Sequence, residues 1–180
     1  PCEARCMAGL SLRLWVAEDL PLLRAANTPA MTAHLNGPES EPELLARHER
    51  YLRLLDAGEA RMFVIEEEGG RALGSIGYWK VDWREAPAWE SGWFVLPEAQ
   101  GAGVAARAVR LLIDDLRERH DSRRLLLAFP SIDNPASNAV CRRAGFELRG
   151  TMTETFRGAE LTVNEWVLDL IAAGKERAHD

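Results

Sequence analysis

The chain has 180 residues, 47% hydrophobic and 28% charged, with a net charge of −6; that length suits one domain with a real core, and the acidic balance speaks against general nucleic-acid binding. No run approaches the roughly 18 apolar residues of a membrane span, and no basic-then-apolar leader opens the chain. The three cysteines, Cys2, Cys6 and Cys141, form no disulfide framework, so the expectation is a reduced, cytoplasmic protein without membrane or nucleic-acid partners.

Residues 1–9 read as an N-terminal tail, with Met7 an alternative start, and residues 172–180 as a C-terminal one; 10–171 form the domain. "LSLRLWV" alternates Leu10, Leu12, Leu14 and Val16 on one face and predicts a strand. "EDLPLLRAAN" predicts a short helix with Asp19 as cap and Pro21 in its first turn. "TPAMTAHLNGPESEPE" is rich in breakers and reads as a loop or a broken helix. Leu44, His48, Tyr51, Leu52 and Leu55 keep helical spacing between Glu43 and Leu55. A hairpin follows with Gly69-Gly70 near its turn, then "PAWESGWFVL" as a third strand of the meander, ending at Pro97. A helix from about Gly103 to Arg119, the apolar strand "RRLLLAF", and a helix from Ala136 to Ala144 stopped by Gly145 come next. "FELRGTMTETF" and "ELTVNEWVLDL" close the chain as strands. Meanders with helices laid across them point to a mixed α+β sheet rather than a doubly wound one.

The stretch "PEAQGAGVAARAVRLL" opens a helix on glycine and alanine, where Ser, Thr, Asp or Asn would be the usual cap. Its first N–H groups therefore want another partner. One reading is a phosphate, drawn by the helix dipole and admitted by the glycines. The other is a small-residue helix start bonded to water. The P-loop pattern is absent. "GAGVAA" matches a dinucleotide fingerprint, but four residues separate it from the preceding strand, and the next strand ends "LLLAFP" with no acid until Asp133.

Gln100, Gly103 and Ala105 spell Q-x-x-G-x-A between a strand and a helix, and "NPASNAVCRRAGF" places Asn134, Ser137, Gly145 and Phe146 at matching spacings. Together these resemble the coenzyme A loop and the following helix of the GNAT superfamily of N-acetyltransferases. Ser137, with "WESGWFV" before the loop, is most similar to the branch of ribosomal-protein N-terminal acetyltransferases of the Rim type. The resemblance covers nearly the whole chain. It implies an α/β GNAT fold: about seven strands, mostly antiparallel, splayed between the fourth and fifth, with about four helices. It also implies acetyl-CoA as cosubstrate and no metal. The backbone around Val95 would pair with the pantetheine arm. The N–H groups of Gly101, Ala102, Gly103, Val104 and Ala105 would hold the pyrophosphate, with Gln100, Asn134 and Ser137 also at the coenzyme.

Amine attack on a thioester needs a neutral amine, a donor for the oxyanion and a proton for the thiolate. An α-amine, of pKa about 8, asks less of a base than a lysine at about 10.4. Glu90 is the candidate base, its carboxyl raised by Trp89, Trp93 and Phe94; the plainer reading is an exposed strand glutamate. In much of the superfamily a tyrosine seven residues after the asparagine protonates the sulfur. Here that position is Cys141, read as a small buried hydrophobe with a covalent acetyl-cysteine route as the minor alternative. Ser137, a turn earlier, is the substitute hydrogen-bond donor to the thiolate, or else a serine bonding its own backbone. Asn134 doubles as a helix cap. Arg107 and Arg110 reach toward phosphate or lie on a solvated face.

His34, His48, His120 and His179 have no metal-ligand spacing, and His48 reads as packed. Glu39, Glu41, Glu43 and Glu49 would draw in a cation or, on the plainer reading, form i,i+4 pairs such as Glu43–Arg47 and Glu49–Arg53. Trp79, Trp83, Trp89 and Trp93 are expected mostly in the core, one or two of them at an acceptor pocket or a homodimer face. The acceptor is a peptide N-terminus or a small-molecule amine. The rival is a non-catalytic acyl-CoA sensor or interaction module, which the missing tyrosine favours.

Overall fold

The computed structural model describes residues 5–7 and 9–171. The tail segments expected at 1–4 and 172–180 lie outside it. Residues 5–7 do not behave as a tail: Arg5–Met7 is a strand, β1, antiparallel to β2 (Leu10–Leu14). The chain continues through α1 (Leu20–Ala26), α2 (Glu41–Asp56), β3 (Ala60–Glu67), β4 (Ala72–Trp83) and β5 (Ala86–Val95). Then follow α3 (Val104–Glu118), β6 (Leu125–Ala128), α4 (Pro135–Arg143), β7 (Glu147–Phe156) and β8 (Ala159–Asp169). The eight strands form one sheet in the order β1-β2-β3-β4-β5-β6-β8-β7. Seven of them are those expected; β1 is the addition.

Among the described residues parallel pairing is confined to β5 and β6. β6 has to be apolar on both sides because both of its faces are covered. Leu126 joins the cluster under α3, and Leu127 joins Ala88 and Val167 on the reverse face. α3 presents Val104, Ala108, Leu111, Leu112 and Leu116 as a buried stripe at helical spacing and packs on β2, β4 and β5. α1 and α2 cover the opposite face, where Leu22, Leu23 and Leu44 meet Met62 and Val64. No helix among the described residues is long and apolar enough to cross a membrane.

Two local expectations change. The alternation of β2 stops at Leu14: Val16 is exposed, while Trp15 turns inward and its indole N–H donates to His48 Nδ1 at 3.1 Å. The packed reading of His48 thus finds its partner. Asp19 stands at the N-cap position of α1 as expected, but its side chain makes no capping hydrogen bond to that helix, because its carboxylate is already engaged. It takes Arg13 at 2.9 Å and the Val16 N–H at 2.8 Å. Gly69, Gly70 and Gly145 all have positive φ, as the β3–β4 turn and the stop of α4 require.

Candidate active site

β5 and β6 pair over two residues, Trp89 with Leu126 and Glu90 with Leu127, and then part. β5 runs on to Val95 with β4 alone as its neighbour. The hydrogen-bond phase shows which groups face the opening. Leu96 N–H donates to the Leu73 carbonyl at 2.8 Å, so the Gly74–Val95 pair is a non-hydrogen-bonded one. The N–H and C=O of Val95 therefore point away from β4, and by alternation so do those of Trp93 and Ser91. Gln100 Nε2 donates to the Val95 carbonyl at 2.9 Å. Gln100 thereby ties the loop to the strand, and the Val95 N–H is left facing the gap.

At the end of β5, Pro97–Ala99 make a single 3-10 turn and the chain enters α3 through Gly101 and Gly103, at φ +79° and +73°. L side chains avoid that region, which is why glycine stands at both positions. No side chain caps α3, and a Cβ built on Gly101 or Gly103 would meet no atom within 4 Å. The helix thus starts uncapped beside bare, unobstructed backbone, the kind of helix start at which anions are commonly bound. Val104 contributes only its backbone here, since its side chain is in the core. Arg107 leans over the loop and donates to the Ala102 carbonyl at 3.4 Å, and Arg110 is exposed.

Strand alternation divides the residues around Glu90. Trp89, Trp93 and Val95 face α3. Trp79 and Phe94, on the opposite face, pack with the α1–α2 cluster and with Met31 of the intervening segment. Glu90 shares that second face and stands across from Trp79 in the ladder. Burial pushes its carboxyl up to about 7, opposed by the Trp79 indole N–H and reinforced by the negative charge of Glu154 on β7. The raised carboxyl is as expected and Phe94 shares the face of Glu90, but the other neighbours differ. Trp89 and Trp93 adjoin Glu90 in sequence and lie behind the sheet; Trp79 and Glu154 come from other strands.

The gap's far wall is the β6–α4 connection and the first turn of α4. Asn134 caps α4 by accepting from Ser137 N at 3.1 Å. Ser137 is half-buried and its hydroxyl has no hydrogen-bond partner among the described residues, so it is not a serine bonding its own backbone. Cys141 is fully buried in the main core, and burial pushes its thiol up to about 12. That agrees with a small hydrophobe and leaves essentially no thiolate for an acetyl-cysteine route. Neither tyrosine takes the vacated role. Tyr78 faces α3 and donates to Asp115 Oδ2 at 2.7 Å, and burial raises its phenol well above the usual range. Tyr51 packs edge-on to Trp15 at 5.6 Å.

The acidic residues expected to attract a cation are mostly committed elsewhere. Glu39 pairs with Arg47 at 2.8 Å and Arg157 at 3.2 Å, and Glu41 pairs with Arg24. Glu43 reaches back to Ser40 N at 2.8 Å as a capping box rather than forward to Arg47. Asn36 donates to the Phe156 carbonyl at 2.7 Å and Arg157 to the Gly37 carbonyl at 2.7 Å. These bonds fasten the α1–α2 segment to the β7–β8 turn, beside the face that carries Glu90. Sequence reasoning missed Asn138, whose buried side chain makes four hydrogen bonds; its partners lie up to 28 residues away, so no local pattern marks it. Among the described residues no group of three or more His, Cys, Asp or Glu is placed to hold a metal.

Residues 10–147 match the family described as Acetyltransferase (GNAT) domain. The chain is 29% identical over 123 residues to the ribosomal-protein-serine acetyltransferase of Escherichia coli (strain K12), covering 67% of each protein. Its fold is shared by solved structures that include the following two. A RimL ribosomal-protein alpha-N-acetyltransferase in complex with coenzyme A superposes with a TM-score of 0.76 at 22% identity, over 92% of this chain and 97% of that one. The spermidine N-acetyltransferase of Vibrio cholerae, in complex with CoA and spermine, has a TM-score of 0.76 at 19% identity, over 92% of this chain and 98% of that one.

Proposed function

The chain belongs to the GNAT family of acetyl-CoA-dependent acetyltransferases, and from that premise we propose that it acetylates a primary amine by direct attack within a ternary complex, its preferred acceptor being a peptide or protein N-terminus. Acetyl-CoA supplies the activated acyl group as a thioester. The observation that carries the reading is the parting of β5 from β6 immediately after Glu90. It sets a carboxylate of raised pKa on one face of an opening whose edge leads to the uncapped start of α3.

Gly101 to Ala105 bind the pyrophosphate through their N–H groups. Beyond the last β5–β6 bond, in which the Ser91 N–H is spent on the Leu127 carbonyl, the N–H groups of Trp93 and Val95 are the donors available to the pantetheine amides and to the acetyl oxygen as it gains charge. Glu90, ionised at the outset, takes a proton from the acceptor's ammonium, directly or through one water. The freed nitrogen attacks the acetyl carbon, the C–N bond forms, and the C–S bond breaks with its electron pair leaving on sulfur. The second nitrogen proton passes to the thiolate, which the Ser137 O–H holds by a hydrogen bond.

The preference for an α-amine follows from the base. Glu90 titrates near 7, so deprotonating an α-ammonium of pKa about 8 costs about 1.4 kcal/mol, against about 5 kcal/mol for a lysine ammonium at about 10.4. The test is thiol release from acetyl-CoA with a panel of N-terminal peptides, polyamines, aminoglycosides and amino acids, each product checked by mass. Acetylated peptide is the expected product. Acetylation confined to small amines would overturn the acceptor assignment, and tight CoA binding with no turnover would make the protein a sensor.

A further inference from the structure

Asn138 follows Ser137 in α4 and is 7% exposed. Its Nδ2 donates to the Ser131 carbonyl at 2.9 Å and the Asn134 carbonyl at 2.7 Å. Its Oδ1 accepts from Asn164 Nδ2 at 2.7 Å and Trp166 Nε1 at 2.8 Å. Both protons and both lone pairs of the amide are used, which is its full capacity. The partners belong to the β6–α4 connection, the cap of α4 and strand β8. The same connection is tied to β8 by Ile132 N to Thr162 O at 3.0 Å and Asn164 N to Pro130 O at 2.9 Å. These segments form the wall of the gap that faces β5. Asn134 links the two systems: its carbonyl accepts from Asn138, and its side chain caps the N–H of Ser137.

A helix that touched this wall through apolar contacts alone would be free to slide, since such contacts have no direction. Four hydrogen bonds on one buried group fix both its rotation and its height. We infer that Asn138 is a positioning residue for acetyl transfer: it acts through Ser137, holding that hydroxyl on the wall opposite β5, where the leaving sulfur must pass. The inference rests on the proposed role of Ser137.

The test is a double-mutant cycle on the full chain, assayed with acetyl-CoA and the best acceptor of the amine panel. Asn138→Ala lowers kcat about tenfold, the scale of one hydrogen bond to a charged group, and shifts the KM for acetyl-CoA less than about twofold. In a Ser137→Ala background the same change adds less than about twofold, because the group it positions is gone. Trp166→Phe removes one N–H from the network and keeps an aromatic ring in place. It covers the case in which Asn138→Ala fails to fold, and is expected to lower kcat about threefold with the same dependence on Ser137. Effects that multiply in the double variant overturn the inference and leave the role of Ser137 standing. So does a lowered Tm with the kcat of the folded enzyme intact. An unchanged kcat in Ser137→Ala alone overturns both.

Discussion

Glu90→Gln separates the base from the shape of the site. Glutamine keeps the volume and an oxygen for the Trp79 indole but cannot ionise. Burial raises the Glu90 carboxyl to about 7, whereas an unfolded glutamate titrates near 4.3. The folded state therefore holds the proton more tightly than the unfolded one between those values, and stability falls as pH rises through the window. With about 1.36 kcal/mol for each pKa unit, ionised Glu90 costs the fold at most about 3 to 4 kcal/mol by pH 8. Glutamine carries no such cost. Urea unfolding of both proteins from pH 5 to pH 8.5 is expected to give curves that lie close at the acid end and separate as pH rises, the variant becoming the more stable. Turnover moves the other way. The wild-type kcat/KM rises with an apparent pKa near 7, and the variant falls by about 10²- to 10⁴-fold with CoA affinity nearly intact. Stability curves that stay parallel across the range would refute the buried-carboxylate argument, and wild-type turnover in Glu90→Gln at every pH would remove Glu90 from the chemistry.

Gly103→Glu is expected to abolish CoA binding in calorimetry, since its carboxylate enters the open space over the loop and repels phosphate; Gly103→Ala meets no atom there and costs only about 1–2 kcal/mol for the left-handed backbone. CoA affinity unchanged in a folded Gly103→Glu would end the pyrophosphate assignment. Cys141→Ala is expected to retain turnover and lose about 1 kcal/mol of stability, and native Cys141 should resist thiol reagents at pH 8; complete loss of turnover would restore the acetyl-cysteine route. Ser91 buries a hydroxyl without a partner, so Ser91→Ala should be neutral or stabilising by about 1 kcal/mol in urea unfolding. A loss larger than that would mean the hydroxyl is bonded after all.

Features carried by neighbours along the chain were legible in the residues themselves. Helical spacing marks α3 and α2, double-sided apolarity marks β6, and the two glycines at 101 and 103 mark the loop that leads into α3. Glu90, Ser137 and Asn134 were picked out by the resemblance of their segments to those of the family. Residue order alone could not say which groups meet across the sheet. It suggested Trp89 and Trp93 as neighbours of Glu90, where a two-residue repeat sends both behind the strand and brings Trp79 and Glu154 instead. It suggested Glu43 with Arg47, where the carboxylate is claimed by the helix start at Ser40. Propensity, capping and alternation act over a few residues and are therefore written locally. The network of Asn138 and the gap after Glu90 depend on how strands distant in the chain come into register, and long-range packing alone decides that.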